Sequence, residues 1–228
     1  MMIALPAAAA GVSAVGVWLL LRDAGRDAPD ARGAARVKAG MAALSPRAAA
    51  AYAAFTAAAC IGAALALTAV YPDNTFIFNM RRLCLLSLLL PAAFVDYKSY
   101  RIPNAFIVAG AAYWAALFIA EPLVSGMAGF GRTAVSDLAA AGALTAAALL
   151  CAVAIRGSIG AGDVKLFMVM GLLLSTEGIG GAVLLSLAVS FIVSAWLLIT
   201  KRKTRKDTLP FAPALAAGTF LSVLLTGM

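Results

Sequence analysis

The sequence has no histidine, few acidic residues and no paired cysteines, and each of these absences excludes a class of chemistry. Without histidine, the chain has no Ser-His-Asp or Cys-His catalysis, no histidine zinc site and no rhomboid-like Ser/His pair. The three cysteines, Cys60, Cys84 and Cys151, stand singly in apolar runs, so we interpret them as packing residues. Only 10 residues are acidic. Any acid–base chemistry therefore has few carriers.

Charged side chains of both signs are scarce. They make up 12% of the 228 residues, against 64% hydrophobic residues and a mean hydropathy of +0.98. Soluble proteins carry about 25% charged residues. So little polar surface excludes a soluble enzyme, a disordered chain and a disulfide-stapled secreted domain. The composition predicts an all-α fold, a polytopic bundle of membrane helices.

Long apolar runs predict the helices of this bundle. Runs that cross, or nearly cross, a hydrocarbon core of roughly 30 Å occur eight times. The first lacks preceding basic residues, which favours a retained helix over a cleaved signal peptide. No internal repeat supports an inverted-repeat transporter. We expect about eight transmembrane helices, near residues 3–21, 48–71, 83–100, 104–121, 137–155, 158–175, 179–200 and 210–228.

The basic residues predict the orientation of the chain. Fifteen of the 18 Lys and Arg residues fall on one side of the expected membrane, and Arg81, Arg82 and Arg132 fall on the other. The positive-inside rule makes the first side cytoplasmic and places both termini outside. Residues 22–47 then form a basic cytoplasmic loop. We interpret the net charge of +8 as a topology signal, not as nucleic-acid binding, because no basic–aromatic patch accompanies it.

Two acidic residues lie at membrane depth. Thirteen residues separate the start of the third apolar run from Asp96, and 12 follow Asp163 to the end of the sixth. Each span therefore reaches membrane length only with its aspartate inside it, near the cytoplasmic boundary. A carboxylate in low dielectric indicates a functional site. The other eight acids are expected in loops or at helix ends, with Asp137 as a capping residue and Glu121 at a helix end.

A structural role for the two aspartates is also open. Each has basic neighbours that suit an ion pair at the membrane boundary: Lys98 or Arg101 for Asp96, and Lys165 for Asp163. The glycines favour a catalytic role over a structural one. Gly160 and Gly162 permit non-helical backbone and close approach of another chain beside Asp163. This suits a peptide substrate, since a helical substrate must be unwound before its carbonyl is attacked.

Three short motifs follow one another at the cytoplasmic ends of predicted helices. Residues 96–104 resemble the D-x5-I-P-N signature of the type IV prepilin peptidase family. Residues 160–166 resemble its G-x-G-D-x-K-L signature, and residues 210–218 resemble its P-F-x-P-x-L-x-x-G segment. The resemblance covers about residues 83–228, a six-helix peptidase core. It does not include residues 1–82, which hold two predicted transmembrane helices and the basic loop.

The resemblance implies an aspartyl endopeptidase that cuts the short basic leader from type IV prepilins or pseudopilins at the cytoplasmic face of the bacterial inner membrane. Asp96 and Asp163 are carried over as its catalytic pair. Two adjacent carboxylates do not both ionise, so one accepts a proton from water while the other, protonated, supports the oxyanion. Lys165 either tunes this pair or anchors its helix. The expected supporting residues are Gly160, Gly162, Lys165, Arg101, Pro103, Asn104, Pro210 and Pro213.

The cysteines mark a departure from longer members of that family. Many prepilin peptidases carry paired C-x-x-C motifs in a cytoplasmic N-terminal region associated with methylation of the new N-terminus. The loop at 22–47 contains no cysteine. We therefore expect a short, peptidase-only form without metal or other cofactor. The expected partners are a prepilin or pseudopilin and the lipid bilayer, with no nucleic acid.

Two other interpretations stay open. A presenilin-like or preflagellin-type intramembrane aspartyl protease also uses G-x-G-D, and the Pro213-Ala214-Leu215 segment matches the presenilin Pro-Ala-Leu. In presenilins, however, the two aspartates occupy adjacent spans, whereas two predicted spans separate Asp96 from Asp163 here. A carboxylate-dependent proton- or ion-coupled transporter uses membrane acids as relays, but it favours acids near the midplane.

Overall fold

A computed structural model of the chain describes residues 4–24, 46–127, 129–154, 160–201 and 209–226. These residues form helices and contain no strand, which confirms the predicted all-α class. The helices are α1 (Ala4–Ala24), α2 (Pro46–Val70), α3 (Phe76–Ser99), α4 (Asn104–Ser125), α5 (Phe130–Ala154), α6 (Ala161–Ile199) and α7 (Ala212–Thr226).

The length and composition of six helices suit a membrane crossing. They are α1 to α6, and α7 is a shorter apolar helix of 15 residues. The prediction of a multi-pass membrane protein is therefore confirmed. The number of about eight transmembrane helices stays a prediction, because residues 161–199 form one element of 39 residues where two spans were predicted.

A reversal of the chain interrupts α6 at Ser175. This residue has φ 56° and ψ −174°, which breaks the helix. Gly162, at the start of α6, packs against Ile102, and Leu197, near its end, lines a groove with Tyr97. Both ends of α6 therefore lie at the same end of the bundle, with Ser175 at the other. The reversal falls at the predicted boundary between two spans.

The central helix is α3, and it begins earlier than the sequence predicts. Thr75 caps its N-terminus, because the threonine hydroxyl oxygen accepts the N–H of Phe78 at 3.3 Å. The additional turns carry Arg81 and Arg82, which are buried inside the helix bundle. The predicted spans left both arginines between two helices, and this boundary was wrong. Arg81 is tolerated there because it has carboxylate partners within the protein. Arg82 has one hydrogen bond within the described chain, to the Phe78 carbonyl.

The two N-terminal helices share a core with the rest of the bundle. Tyr71, just after α2, donates a hydrogen bond from its hydroxyl to the carbonyl of Leu224 in α7 at 3.2 Å. A Cβ atom added to Gly16 in α1 would overlap the carbonyl oxygen of Ser87 in α3, so α1 packs closely there. The domain boundary near residue 82 stays a prediction, but apolar side chains from both sides of it pack together. The shared buried residues include Leu5, Ala9, Cys60, Ala63, Leu83, Leu86 and Val223.

Candidate active site

Asp96 lies in the last turn of α3, where α7 begins. Its side chain is buried, and its Oδ2 accepts the backbone N–H of Ala212 at 3.0 Å. A helix N-terminus favours this contact, because its first N–H groups have no partner inside the helix. Tyr100 then ends α3 with a left-handed φ of 51°. The rings of Phe167 in α6 and Phe211 lie 5.7 Å apart, which packs the start of α7 against α6.

Asp163 lies in the first turn of α6 and is half-buried. Gly160 caps this helix in an extended conformation, and its N–H donates to Oδ2 of Asp163 at 3.3 Å. The other oxygen, Oδ1, is buried and has no hydrogen-bond partner among the described residues. That oxygen is therefore the free acceptor of the site.

The chain after Asp96 contacts the chain before Asp163. A Cβ atom added to Gly162 would lie 3.2 Å from the Cβ of Ile102, tighter than most such contacts, so these segments pack closely at the glycine. The structure thus brings the two sequence-predicted aspartates to one end of the bundle, although two helices separate them along the chain.

The suggested ion pairs of the two aspartates are wrong. Among the described residues, neither aspartate forms a salt bridge. The three basic side chains that were expected to neutralise them have other contacts instead. These contacts are the Phe94 ring for Lys98 (4.7 Å), Asp23 for Arg101 (3.8 Å) and Asn104 for Lys165 (3.1 Å).

The three motif prolines lie at helix starts near the aspartates. Pro103 is the N-cap of α4 with φ −63°, a position at which proline's missing N–H costs nothing. Pro210 precedes α7 and lines an apolar groove of about 290 Å³ with Tyr97. Pro213 lines both this groove and a second one of about 510 Å³, which Tyr52 of α2 also lines. The start of α7 is therefore flanked by two apolar grooves.

A second polar cluster, at the opposite end of the bundle, was missed from the sequence. Asp137 is fully buried, and its carboxylate accepts from Arg81 at 2.8 and 2.9 Å, from Trp114 Nε1 at 2.8 Å and from the Ser175 hydroxyl. Arg81 also pairs with Glu121 at 2.6 Å. The expectations of a solvated capping role for Asp137 and a solvated helix-end role for Glu121 were wrong, because α3 brings a buried arginine beside them.

The fold and the site define a polytopic helical membrane protein with two carboxylates, free of ion pairs within the described chain, at one end of its bundle. A model described as the type IV leader peptidase family matches residues 83–199. The chain belongs to that family, as the motif resemblance indicated.

One relative is the prepilin leader peptidase/N-methyltransferase of Bacillus subtilis (strain 168). It is 33% identical over 139 residues, which cover 61% of this chain and 53% of the relative. The chain thus spans about half the length of the curated relative it matches. No solved structure matches the chain at a significant level.

Proposed function

We propose that this protein is a membrane aspartyl endopeptidase that removes the basic leader from type IV prepilins or related pseudopilins. Its family and the name of the Bacillus relative support the peptidase activity and the substrate class. The observation that carries the aspartyl mechanism is the meeting of Asp96 and Asp163 at one end of the bundle, each without a neutralising cation in the described chain.

The proposed reaction is hydrolysis of one peptide bond by the aspartate pair. Two neighbouring carboxylates share a proton and titrate as a unit. The ionised carboxylate removes a proton from water as the water oxygen bonds to the scissile carbonyl carbon. The protonated carboxylate donates a hydrogen bond to the developing oxyanion. The C–N bond then breaks, and the amine leaves with a proton from the pair.

The contacts of each aspartate suit this reaction. The Ala212 N–H fixes one oxygen of Asp96, and the Gly160 N–H binds one oxygen of Asp163. Oδ1 of Asp163 has no protein partner among the described residues, so it is free to bind water or the substrate carbonyl. Backbone donors hold both carboxylates without adding a positive charge, which keeps the shared proton within the pair.

We place this site at the cytoplasmic face of the bacterial inner membrane, with both termini outside. The bias of Lys and Arg toward that side supports this orientation. The ion pair of Arg101 with Asp23 at 3.8 Å agrees with it, because it joins the ends of α1 and α3 that the charge bias assigns to one side.

We also propose that the protein cleaves without methylating. The three cysteines lie on different helices, at Cys60, Cys84 and Cys151, and none belongs to a C-x-x-C pair. Among the described residues, no group of three or more His, Cys, Asp or Glu side chains suits a metal. The paired cysteine motifs that the family resemblance associates with methylation are therefore not found in this sequence.

The test is a cleavage assay with purified protein in detergent. A prepilin that the Bacillus relative cleaves is incubated with each protein and with S-adenosylmethionine, and products are identified by mass spectrometry. We expect one cut that releases the leader, and no added methyl group. Failure to cleave a substrate that the relative cleaves would contradict the peptidase proposal, and a methylated product would contradict the peptidase-only form.

A further inference from the structure

A polar pocket of about 330 Å³ lies at the opposite end of the bundle from the two aspartates. Its walls come from the start of α3, the end of α4, the start of α5 and the break in α6. A volume of this size is in the range of small-ligand sites. The charged residues that line it are Arg81, Arg82, Arg132, Glu121 and Glu177.

Arg82 is the lining residue that indicates a ligand. Its side chain is buried, with 2% exposure, yet its Nε and Nη2 have no hydrogen-bond partner among the described residues. Its Nη1 donates to the Phe78 carbonyl at 3.0 Å, and the guanidinium carbon lies 3.4 Å from the centre of the Phe78 ring. The two unpartnered N–H groups point in parallel from one edge of the guanidinium. That edge binds two oxygens of an oxyanion.

The other charges around the pocket are arranged differently. Arg81 already pairs with Asp137 and Glu121, so it does not need a ligand. Arg132 is exposed at the rim and adds a second cation. Glu177 is exposed as well and lines the same pocket, but it forms no hydrogen bond to the unpartnered nitrogens of Arg82. An arriving anion would therefore compete with Glu177.

We propose that this pocket binds a phosphate group, with Arg82 as a bidentate donor and Arg132 as a second cation. A buried, charged donor without a partner destabilises the folded protein, so a bound oxyanion relieves that penalty. The pocket lies at helix ends, the level at which phospholipid headgroups surround a membrane protein. The same chemistry also accepts free phosphate.

The experiment measures thermal unfolding of the full-length protein in a phosphate-free, non-ionic detergent. The titrants are short-chain phosphatidylglycerol, sodium phosphate and, as the phosphate-free control, the matching diacylglycerol. We expect a titrant with a phosphate to raise Tm by several degrees, since binding to the folded state stabilises it. If phosphatidylglycerol raises Tm and sodium phosphate does not, the site binds a lipid headgroup. If both raise Tm, the site binds any phosphate group.

Variants separate this site from general charge effects. Arg132→Gln, at the rim, should weaken the phosphate response about tenfold, and Arg82→Lys, which keeps the charge without the fork, should abolish it. Arg22→Gln, at the other end of the bundle, is the matched control. Glu177→Gln should strengthen binding by removing the competing carboxylate.

Three results would overturn the proposal. The first is that no phosphate-bearing titrant stabilises the wild-type protein. The second is that phosphate stabilises Glu177→Gln but not the wild-type protein, which would show that Glu177 is itself the partner of Arg82. The third is equal responses of Arg132→Gln and Arg22→Gln. If Arg82→Lys does not fold, the phosphate responses of Arg132→Gln and Glu177→Gln still test the proposal.

Discussion

At the residue scale, the position of Asp163 depends on a glycine. Gly162 packs against Ile102 so closely that an added Cβ would lie 3.2 Å from the Ile102 Cβ, tighter than ordinary contacts. The methyl group would therefore move the start of α6 away from the segment that follows Asp96. A small displacement of one carboxylate has a large effect on a reaction that needs both.

We predict that Gly162→Ala lowers leader cleavage by about tenfold or more. Gly142→Ala is the matched control, because a Cβ there has no neighbour within 4 Å and alanine favours a helix. Initial rates on the same prepilin, with Tm as the folding check, measure the effect. Equal rates in the two variants would contradict the proposed role of this contact.

The hydrogen bond of Lys165 to Asn104 links the second and first motifs. Lys165 Nζ donates to Asn104 Oδ1 at 3.1 Å on the exposed side of the site. We predict that Lys165→Ala and Asn104→Ala each lower kcat/KM by about fivefold, the size of one hydrogen bond. The double variant should lose no more than either single one. Multiplied losses in the double variant would show that the two side chains act separately.

The functional importance of Asp96 and Asp163 was predictable from their places in the sequence, whereas the burial of Asp137 was not. Asp96 and Asp163 lie within apolar spans, and depth alone marks them as unusual. Asp137 follows Ser136 near a helix start, which is the ordinary pattern of an exposed cap. Its burial depends on Arg81, 56 residues earlier, and no local pattern reports such a distant partner.

At the element scale, the reversal in α6 depends on the cluster around Asp137. The Ser175 hydroxyl donates to Asp137, and Arg81 and Trp114 bind the same carboxylate. These contacts join α3, α4 and α5 to the break. The sequence predicted a boundary between spans here, but it did not predict a left-handed serine, because that conformation is rare without glycine and needs such outside support.

We predict that Asp137→Asn destabilises the protein by about 3–5 kcal/mol, because Arg81 loses the charge that compensates its burial. Thermal unfolding in detergent measures the change, and Asp73→Asn, at an exposed position, is the control. The double variant Arg81→Met/Asp137→Leu should recover much of the loss, since it leaves neither Arg81 nor Asp137 buried without the other. A single variant as stable as the wild type would contradict the structural role of the pair.

At the scale of the whole molecule, the contacts group at one end of the bundle residues that the charge bias assigns to one side of the membrane. Asp23, Arg101 and Asp96 lie toward one end of the bundle, and Asp137 and Ser175 lie toward the other. Composition and charge bias were enough for this outline, because burial in a bilayer constrains every span alike. They did not give the pairing of helices, which depends on close contacts such as Gly218 against Ser186.

The orientation is tested by cysteine labelling in cells. Cys60 and Cys84 are buried, so Cys151→Ser gives a background with little reactivity. In it we predict that Asp73→Cys reacts with a membrane-impermeant maleimide from outside, because the proposed orientation places the loop between α2 and α3 outside. Lys201→Cys should react only after permeabilisation. The reverse pattern would place the aspartates at the outer face.

The proposed mechanism requires Asp96 and Asp163 to act as one catalytic pair. The direct measurement is the rate of leader cleavage by purified Asp96→Asn and Asp163→Asn, with Asp73→Asn as the control and Tm as the folding check. We predict that each of the first two lowers the rate by at least about a thousandfold while the protein stays folded. Near-wild-type cleavage by either variant would contradict the assignment.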